Sequence, residues 1–328
     1  MTTTRPLQAL SIAAAAVLLL GGCSQGAGSN PASTPGVTVQ IEDNNGARAV
    51  PARPQSVVAT DNRTFETLAD WDVTLKAAPR NLIPPSIKYA SDESIINLGS
   101  HNEPNLEAVV AADPDVIVNG QRFAQFHDDF VRLAPGAAVI ELDPRKGQPL
   151  DSELKRQVTV LGQIFGKQTE AAALSSDLDK SVQRAKAAYD PAQKVMAVNV
   201  SGGNIGYLAP GVGRTLGPVF PIVGLTPALE VAGASDDHQG DDISVEAIAA
   251  SNPEWILVLD RDAGLNSKDP SAKPASEILE KSEALANVTA VREGNIVYMP
   301  ADTYTNEGIQ TYTEFFNSFA DALEKAKS

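Results

Sequence analysis

Two stretches of this 328-residue chain repeat each other. Asn105-Leu-Glu-Ala-Val-Val-Ala-Ala-Asp-Pro-Asp-Val-Ile-Val-Asn-Gly-Gln-Arg122 aligns without gaps on Ser244-Val-Glu-Ala-Ile-Ala-Ala-Ser-Asn-Pro-Glu-Trp-Ile-Leu-Val-Leu-Asp-Arg261. The offset is 139 residues, and six of 18 positions are identical. Each unit reads as a polar N-cap, a short helix, a Pro turn and a buried strand running into an arginine. The duplication predicts two α/β halves, and the length suits two domains of roughly 100–150 residues.

Further apolar runs predict the strands of those halves: 57–60, 116–119, 138–142, 195–200, 256–260 and 296–299. Their alternation with helical stretches implies largely parallel sheets covered by helices. Between the halves, residues 169–189 contain no Pro or Gly. Leu174, Leu178, Val182 and Ala185 form one apolar stripe along them, and Asp190-Pro191 ends the helix. At 1.5 Å per residue this helix is roughly 30 Å long, enough to cross from one half to the other. The body begins with an alternating strand, Val37–Ile41. A turn at Asn45-Gly46 and a second strand at Ala47–Val50 complete a hairpin.

The N-terminus reads differently. Arg5 precedes an apolar run from Ala9 to Leu20, too short to span a bilayer and suited to the core of a signal peptide. Leu20-Gly-Gly-Cys23 resembles a bacterial lipobox, in which the signal is cut before a diacylated cysteine. Ser24–Gly36, with no large apolar residue, then predicts a flexible tether. The expected organisation is signal peptide 1–22, tether 23–36, first lobe 37–167, connecting helix 168–190 and second lobe 191–328. Cys23 is the only cysteine, so neither an internal disulfide nor a Cys-rich zinc motif can form. A net charge of −15 argues against nucleic acid as a partner and makes converging arginines more informative.

In open α/β sheets, ligands bind beyond the carboxyl ends of the strands. Arg122 and Arg261 are both expected there. A solvated strand end explains either one alone, but their common register favours a shared role. Glu107 and Glu246 occupy matching first helical turns, where a carboxylate complements the helix dipole. Gly211-Val-Gly213 imitates a dinucleotide loop but has the wrong spacing and is followed by Pro218. A glycine-flanked turn presenting Arg214 fits better. No Gly-x-Ser-x-Gly, His-Glu-x-x-His or P-loop motif occurs, so the sequence predicts no enzyme.

Lipobox, tether, two lobes and connecting helix, together with Pro-Glu-Trp-Ile-Leu-Val-Leu-Asp-Arg-Asp (253–262) and Asn-Ile-Val-Tyr-Met-Pro (295–300), make the chain similar to ferric-siderophore-binding lipoproteins of ABC iron importers. The branch it resembles takes catecholate or mixed-ligand siderophores. The resemblance implies two Rossmann-like α/β lobes joined by a single long helix, the class III periplasmic-binding-protein fold. It places the ligand-contacting arginines on Arg122, Arg214 and Arg261. His238 and Tyr304 match residues that complete the iron shell when a siderophore leaves positions open. The His238-Gln-Gly-Asp-Asp-Ile-Ser244 loop is one residue longer than the family pattern. Glu107 and Glu246 match the acids that dock on the membrane permease.

The implied partners are a ferric siderophore, an ABC permease with its ATPase, and the membrane through the lipid on Cys23. The protein is expected as a monomer on the extracytoplasmic face of the cell membrane, with no cofactor besides its Fe(III)–siderophore cargo. Three catecholates around Fe(III) leave a charge of about −3, and planar guanidinium groups suit its many oxygen acceptors. Two alternatives share the architecture. One is a Zn²⁺ or Mn²⁺ carrier using His101, His127 and His238. The other is a haem carrier with His238 or Tyr304 as axial ligand.

Overall fold

A parallel strand covered on both faces must be apolar at every position, and Val57-Val-Ala59, Val116-Ile-Val118 and Trp255-Ile-Leu-Val-Leu259 meet that requirement with almost no exposed surface. The computed structural model describes residues 36–266 and 273–328. The expected signal peptide 1–22, Cys23 and all but the last residue of the 23–36 tether lie outside them.

The described chain opens with an antiparallel hairpin, β1 (Thr38–Asp43) and β2 (Gly46–Pro51), paired from Thr38↔Pro51 to Asp43↔Gly46. Then follow β3 (Val57–Ala59), α1 (Phe65–Asp70), β4 (Ala77–Ala78), β5 (Ile96–Asn97) and a small hairpin of β6 (Gly99–Ser100) and β7 (Glu103–Pro104). α2 (Leu106–Ala112), β8 (Val116–Asn119), α3 (His127–Leu133) and β9 (Ala138–Glu141) complete the first sheet, whose order is β5-β4-β3-β8-β9 with every pairing parallel.

α4 (Leu150–Phe165) and α5 (Gln168–Ala188) lead to β10 (Lys194–Ser201), β11 (Asn204–Tyr207), α6 (Val219–Val223), β12 (Thr226–Pro227) and β13 (Asp241–Asp242). After these come α7 (Val245–Ser251), β14 (Trp255–Asp260), α8 (Arg261–Asn266), α9 (Ala275–Glu280), α10 (Thr289–Glu293), β15 (Ile296–Tyr298) and α11 (Ile309–Ala326). The second sheet runs β13-β11-β10-β14-β15, with β12 paired to the start of β10. β10, β12, β14 and β15 are parallel, whereas β11 pairs antiparallel with both of its neighbours, β10 and β13. The reversal comes from Gly202-Gly203, both with positive φ (57° and 82°), the backbone that a two-residue hairpin turn demands.

α5 packs on α4, α11 and α6. Its buried face includes Ala171, Leu178, Val182 and Ala185, with Leu174 partly covered, so the apolar stripe read from the sequence is the one that packs. One continuous apolar core runs from Val57 and Leu142 through Leu161 and Leu178 to Trp255 and Phe319, and so reaches both sheets. The fold is the class III α/β arrangement expected.

The repeat superposes its local chemistry closely. Asn105 Oδ1 accepts from Ala108 N at 3.1 Å, and Ser244 Oγ accepts from Ala247 N at 3.1 Å. Both helices end on a left-handed residue before proline, Asp113 at φ 43° and Asn252 at φ 42°. Each unit is thus closed at both ends by its own sequence before any tertiary packing. Replacing Asn105 or Ser244 with Ala should cost about 1 kcal/mol in urea unfolding. Asp113→Gly should be neutral or slightly stabilising, because glycine relieves the left-handed backbone. Asn252→Gly should instead destabilise, because Asn252 Oδ1 accepts from Thr289 N at 2.9 Å and from its Oγ1 at 3.1 Å.

Candidate ligand-binding site

The carboxyl ends of the strands carry the chemistry. Asp61 and Arg63 follow β3, Arg122 follows β8, Ser201 ends β10, Arg261 follows β14, and Tyr304 sits in a 3₁₀ turn (Thr303–Thr305) shortly after β15. Arg214 arrives by a different route, in the loop between β11 and α6. That loop is wound tightly: Gly213 N donates to Ala209 O at 2.7 Å, Gly217 N to Gly213 O at 2.9 Å and Gly211 N to Gly217 O at 2.8 Å. A Cβ on Gly217 would lie 2.2 Å from Gly213 O and 2.6 Å from Ala209 O, so the turn admits no side chain there.

The three arginines predicted from the sequence meet on one aromatic ring. Their guanidinium carbons lie 5.0 Å (Arg122), 5.2 Å (Arg214) and 4.8 Å (Arg261) from the centroid of Tyr304. Arg122 Nη2 donates to Tyr304 O at 3.3 Å, and Arg261 Nη1 donates to Ser201 Oγ at 2.8 Å. Arg214 Nη2 and Arg261 Nε are buried and donate to no acceptor. Burial alone would push the Tyr304 hydroxyl up. The hydrogen-bonding reach and charge of Arg261, with Arg122 and Arg214 beside it, outweigh burial and hold it below the ordinary tyrosine range.

Behind the ring lies a buried polar network that sequence reasoning missed. Arg63 Nη1 pairs with Asp143 Oδ1 and its Nη2 with Glu307 Oε2, each at 3.0 Å. Glu307 Oε2 also stands 3.8 Å from Arg214 Nη2 and accepts from Gln121 Nε2 at 3.2 Å, while Thr215 Oγ1 donates to its other oxygen. Burial disfavours the Glu307 carboxylate, but Arg63 and then Arg214 overcome this and keep it ionised below the usual range. Asp61 is the counterexample: burial, reinforced by the neighbouring Asp143 carboxylate, raises it to about 7. Gln121 (φ 52°) and Thr215 (φ 64°) adjoin Arg122 and Arg214 in left-handed conformations that non-glycine residues rarely adopt.

The histidines are dispersed. His238 is exposed in the loop between β12 and β13, with Asp237 as its charged neighbour at 3.7 Å. Its carbonyl accepts from Asn199 Nδ2 of β10 at 3.1 Å, which keeps the loop near the strand ends. His127 Nδ1 lies 3.0 Å from Glu141 Oε1. His101 has its pKa lowered by burial and then by the charge of Arg122. Glu107 and Glu246 are both exposed in the first turns of α2 and α7.

A spectrophotometric titration of the six tyrosines should show a phenolate forming below the ordinary value near 10. Burial moves Tyr89, Tyr207 and Tyr298 the other way. The early transition should vanish in Tyr304→Phe and move upward in Arg261→Met. An unchanged transition in Arg261→Met would show that the guanidiniums do not act on the hydroxyl.

Comparison with known proteins identifies the family. Residues 57–303 match the profile of the periplasmic binding protein family. The petrobactin-binding protein YclQ of Bacillus subtilis is 25% identical over 295 residues, covering 88% of this chain and 89% of its own. The ferric-anguibactin-binding protein FatB of Vibrio anguillarum is 28% identical over 306 residues, with 90% of each chain covered. The crystal structure of YclQ superposes with a TM-score of 0.75, covering 88% of this chain and 99% of that one at 21% identity. The catecholate-siderophore binding protein VctP of Vibrio cholerae gives 0.74, covering 88% and 100% at 22% identity. The chain therefore belongs to the periplasmic binding protein family, and it is a binding protein and not an enzyme.

Proposed function

We propose that this protein captures a ferric siderophore of anionic, catecholate character and delivers it to an ABC importer for iron. The observation that carries the reading is the convergence of Arg122, Arg214 and Arg261 on Tyr304 at 4.8–5.2 Å. Glu307, 3.8 Å from Arg214, is already paired with Arg63 at 3.0 Å, and among the described residues no carboxylate lies within ion-pair distance of Arg122 or Arg261. The surplus is positive. A ferric complex of about −3 charge, with oxygen acceptors on its periphery, matches it in sign and hydrogen-bonding type. A bare Zn²⁺ or Mn²⁺ ion meets repulsion in the same place. The similarity to YclQ, FatB and VctP, whose names specify siderophores, supports the same cargo class here.

Tyr304 supplies an easily ionised phenol for a siderophore that leaves iron positions open, and His238 supplies an imidazole once its exposed loop folds inward. Cys23 carries the lipid and fixes the body, through the 23–36 tether, to the extracytoplasmic face of the cell membrane. Residues 37–167 and 191–328 form the two lobes, with 168–190 between them. Glu107 and Glu246, one exposed acid on each repeat, dock on the permease, and its ATPase drives import.

Fluorescence titration of residues 24–328 with a ferric catecholate complex should give sub-micromolar binding that weakens with salt. Substituting any one of the three arginines by Ala should weaken binding by roughly 10- to 100-fold, the loss expected for a charge-assisted hydrogen bond in a sheltered site. A four-donor siderophore should shift its charge-transfer band on binding, and Tyr304→Phe should abolish the shift. Salt-independent binding, or none, would remove the catecholate assignment.

The docking role separates cleanly from capture. Glu107→Ala and Glu246→Ala should leave the affinity for the ferric complex within about two-fold, since neither acid pairs with any of the three arginines. Uptake by cells carrying the double variant should fall at least ten-fold. Normal uptake would assign the two acids to helix stabilisation alone.

A further inference from the structure

The turn that presents Tyr304 to the arginines is flanked by two residues with a different outlook. Asp302 and Asn306 line a cavity of about 510 Å³, whose walls include none of the three arginines. The cavity lies between α1 and α11, and its lining contains five carboxylates, Glu66, Asp70, Asp72, Asp302 and Glu314. Lys88 is the single cation in the lining, and it pairs with Asp72. Asn306 is only 4% exposed. Its Nδ2 donates to Glu66 Oε2 at 2.7 Å, while its Oδ1 is buried with no donor at all. A buried amide oxygen beside four carboxylates without a cationic partner calls for a ligand that brings N–H groups and positive charge.

The spacing of the acids narrows the class. Among the described residues, no three His, Cys, Asp or Glu side chains are close enough to share one metal ion. Carboxylates spread over a cavity of small-molecule size suit an extended cation with several donors better than a compact divalent one. Ser86 Oγ donates to Asp302 Oδ2 at 2.8 Å and Gln310 Nε2 to Asp70 Oδ2 at 3.3 Å, which hold two of the acids in place and leave their charge unneutralised. Burial first, and then the nearby Asp70, Asp302 and Glu314, raise the pKa of Glu66, the mark of a negative field without its counter-charge.

We infer that this cavity binds an aliphatic polyammonium chain, with Asp302, Glu314, Asp70 and Glu66 taking its ammonium groups and Asn306 Oδ1 accepting from one of them. The chain is either a free polyamine or an amine-bearing arm of the cargo. The second source rests on the siderophore reading above, while the first stands without it.

Calorimetric titration of the full-length protein with spermidine, with no ferric complex present, tests the cavity itself. Saturable binding that weakens with salt and exceeds that of Mg²⁺ is expected. Asp302→Asn combined with Glu314→Gln should weaken it at least ten-fold, and Arg261→Ala should leave it unchanged. Both acids are solvent-accessible, so the double variant should keep the parental melting temperature. Spermidine binding no tighter than Mg²⁺, or unchanged in the double variant, would overturn the inference. Ferric complexes with and without amine arms then separate the sources. An arm is indicated if only the amine-bearing complex loses affinity in the double variant and competes with spermidine. A separate molecule is indicated if spermidine and the complex bind together.

Discussion

Arg63 is the group on which the site depends. It follows the first strand of the first sheet, yet its guanidinium divides between Asp143 of that half and Glu307, which precedes the last helix of the other. With 15% of the Arg63 side chain exposed and 3% of Glu307, both charges are largely removed from water. A pair so placed contributes modest net stability, but removing one partner leaves a buried charge uncompensated at a cost of about 3–5 kcal/mol. The seam it closes is extended by Thr67 Oγ1 donating to Gln310 Oε1 at 2.8 Å and by the Asn306–Glu66 bond. A wide separation of the two halves would have to break all of these at once.

The same carboxylate makes the arginine cluster possible. Three guanidiniums within about 5 Å of one ring centroid repel each other, and the repulsion must be offset before any ligand arrives. The face of Tyr304 contributes on the order of 0.5–2 kcal/mol per cation. Glu307 attracts Arg214 from behind, and Ser201 and the Tyr304 carbonyl fix Arg261 and Arg122 by hydrogen bonds. Arginine tolerates this arrangement better than lysine because its charge is delocalised and weakly hydrated. The cluster remains locally positive in a chain whose net charge is −15, so the chain as a whole repels a free anion while the site itself attracts one.

Much of this was legible in the chain. The repeat announced two helix–strand units with their caps, and the arginine ending each unit lies in the site. Arg63 was legible by the same reasoning, since Asp61-Asn62-Arg63 follows a buried strand just as Arg122 and Arg261 do; its position outside the repeat hid it. Glu307 gave no signal. An acid in Asn306-Glu-Gly308 becomes buried only because Arg63, 244 residues earlier, comes to meet it. β4, β5, β12 and β13 have two residues each, too few for any period to show. β11 is a different case, for Gly202-Gly203 marks its hairpin openly. His238 could be placed only after folding, because its loop is held by a bond from Asn199 on another strand.

The duplication also shows how the labour divides between the halves. Had the repeat alone built the site, Arg122 and Arg261 would face the ligand as equals. The second half adds two groups with no counterpart in the first: Arg214, on a glycine turn between β11 and α6, and Tyr304, on the turn after β15. Three of the four residues of the cluster, Arg214, Arg261 and Tyr304, therefore belong to the second half, and the first supplies Arg122 and, through Arg63, the anchor for Glu307. The cavity beside the turn repeats the pattern in the opposite sign, with Asp302, Asn306 and Glu314 from the second half and Glu66 and Asp70 from the first. One short turn thus separates a cationic field from an anionic one. A ligand carrying both charges would be held in a single orientation across it, because reversing the ligand would set each charge against its own kind.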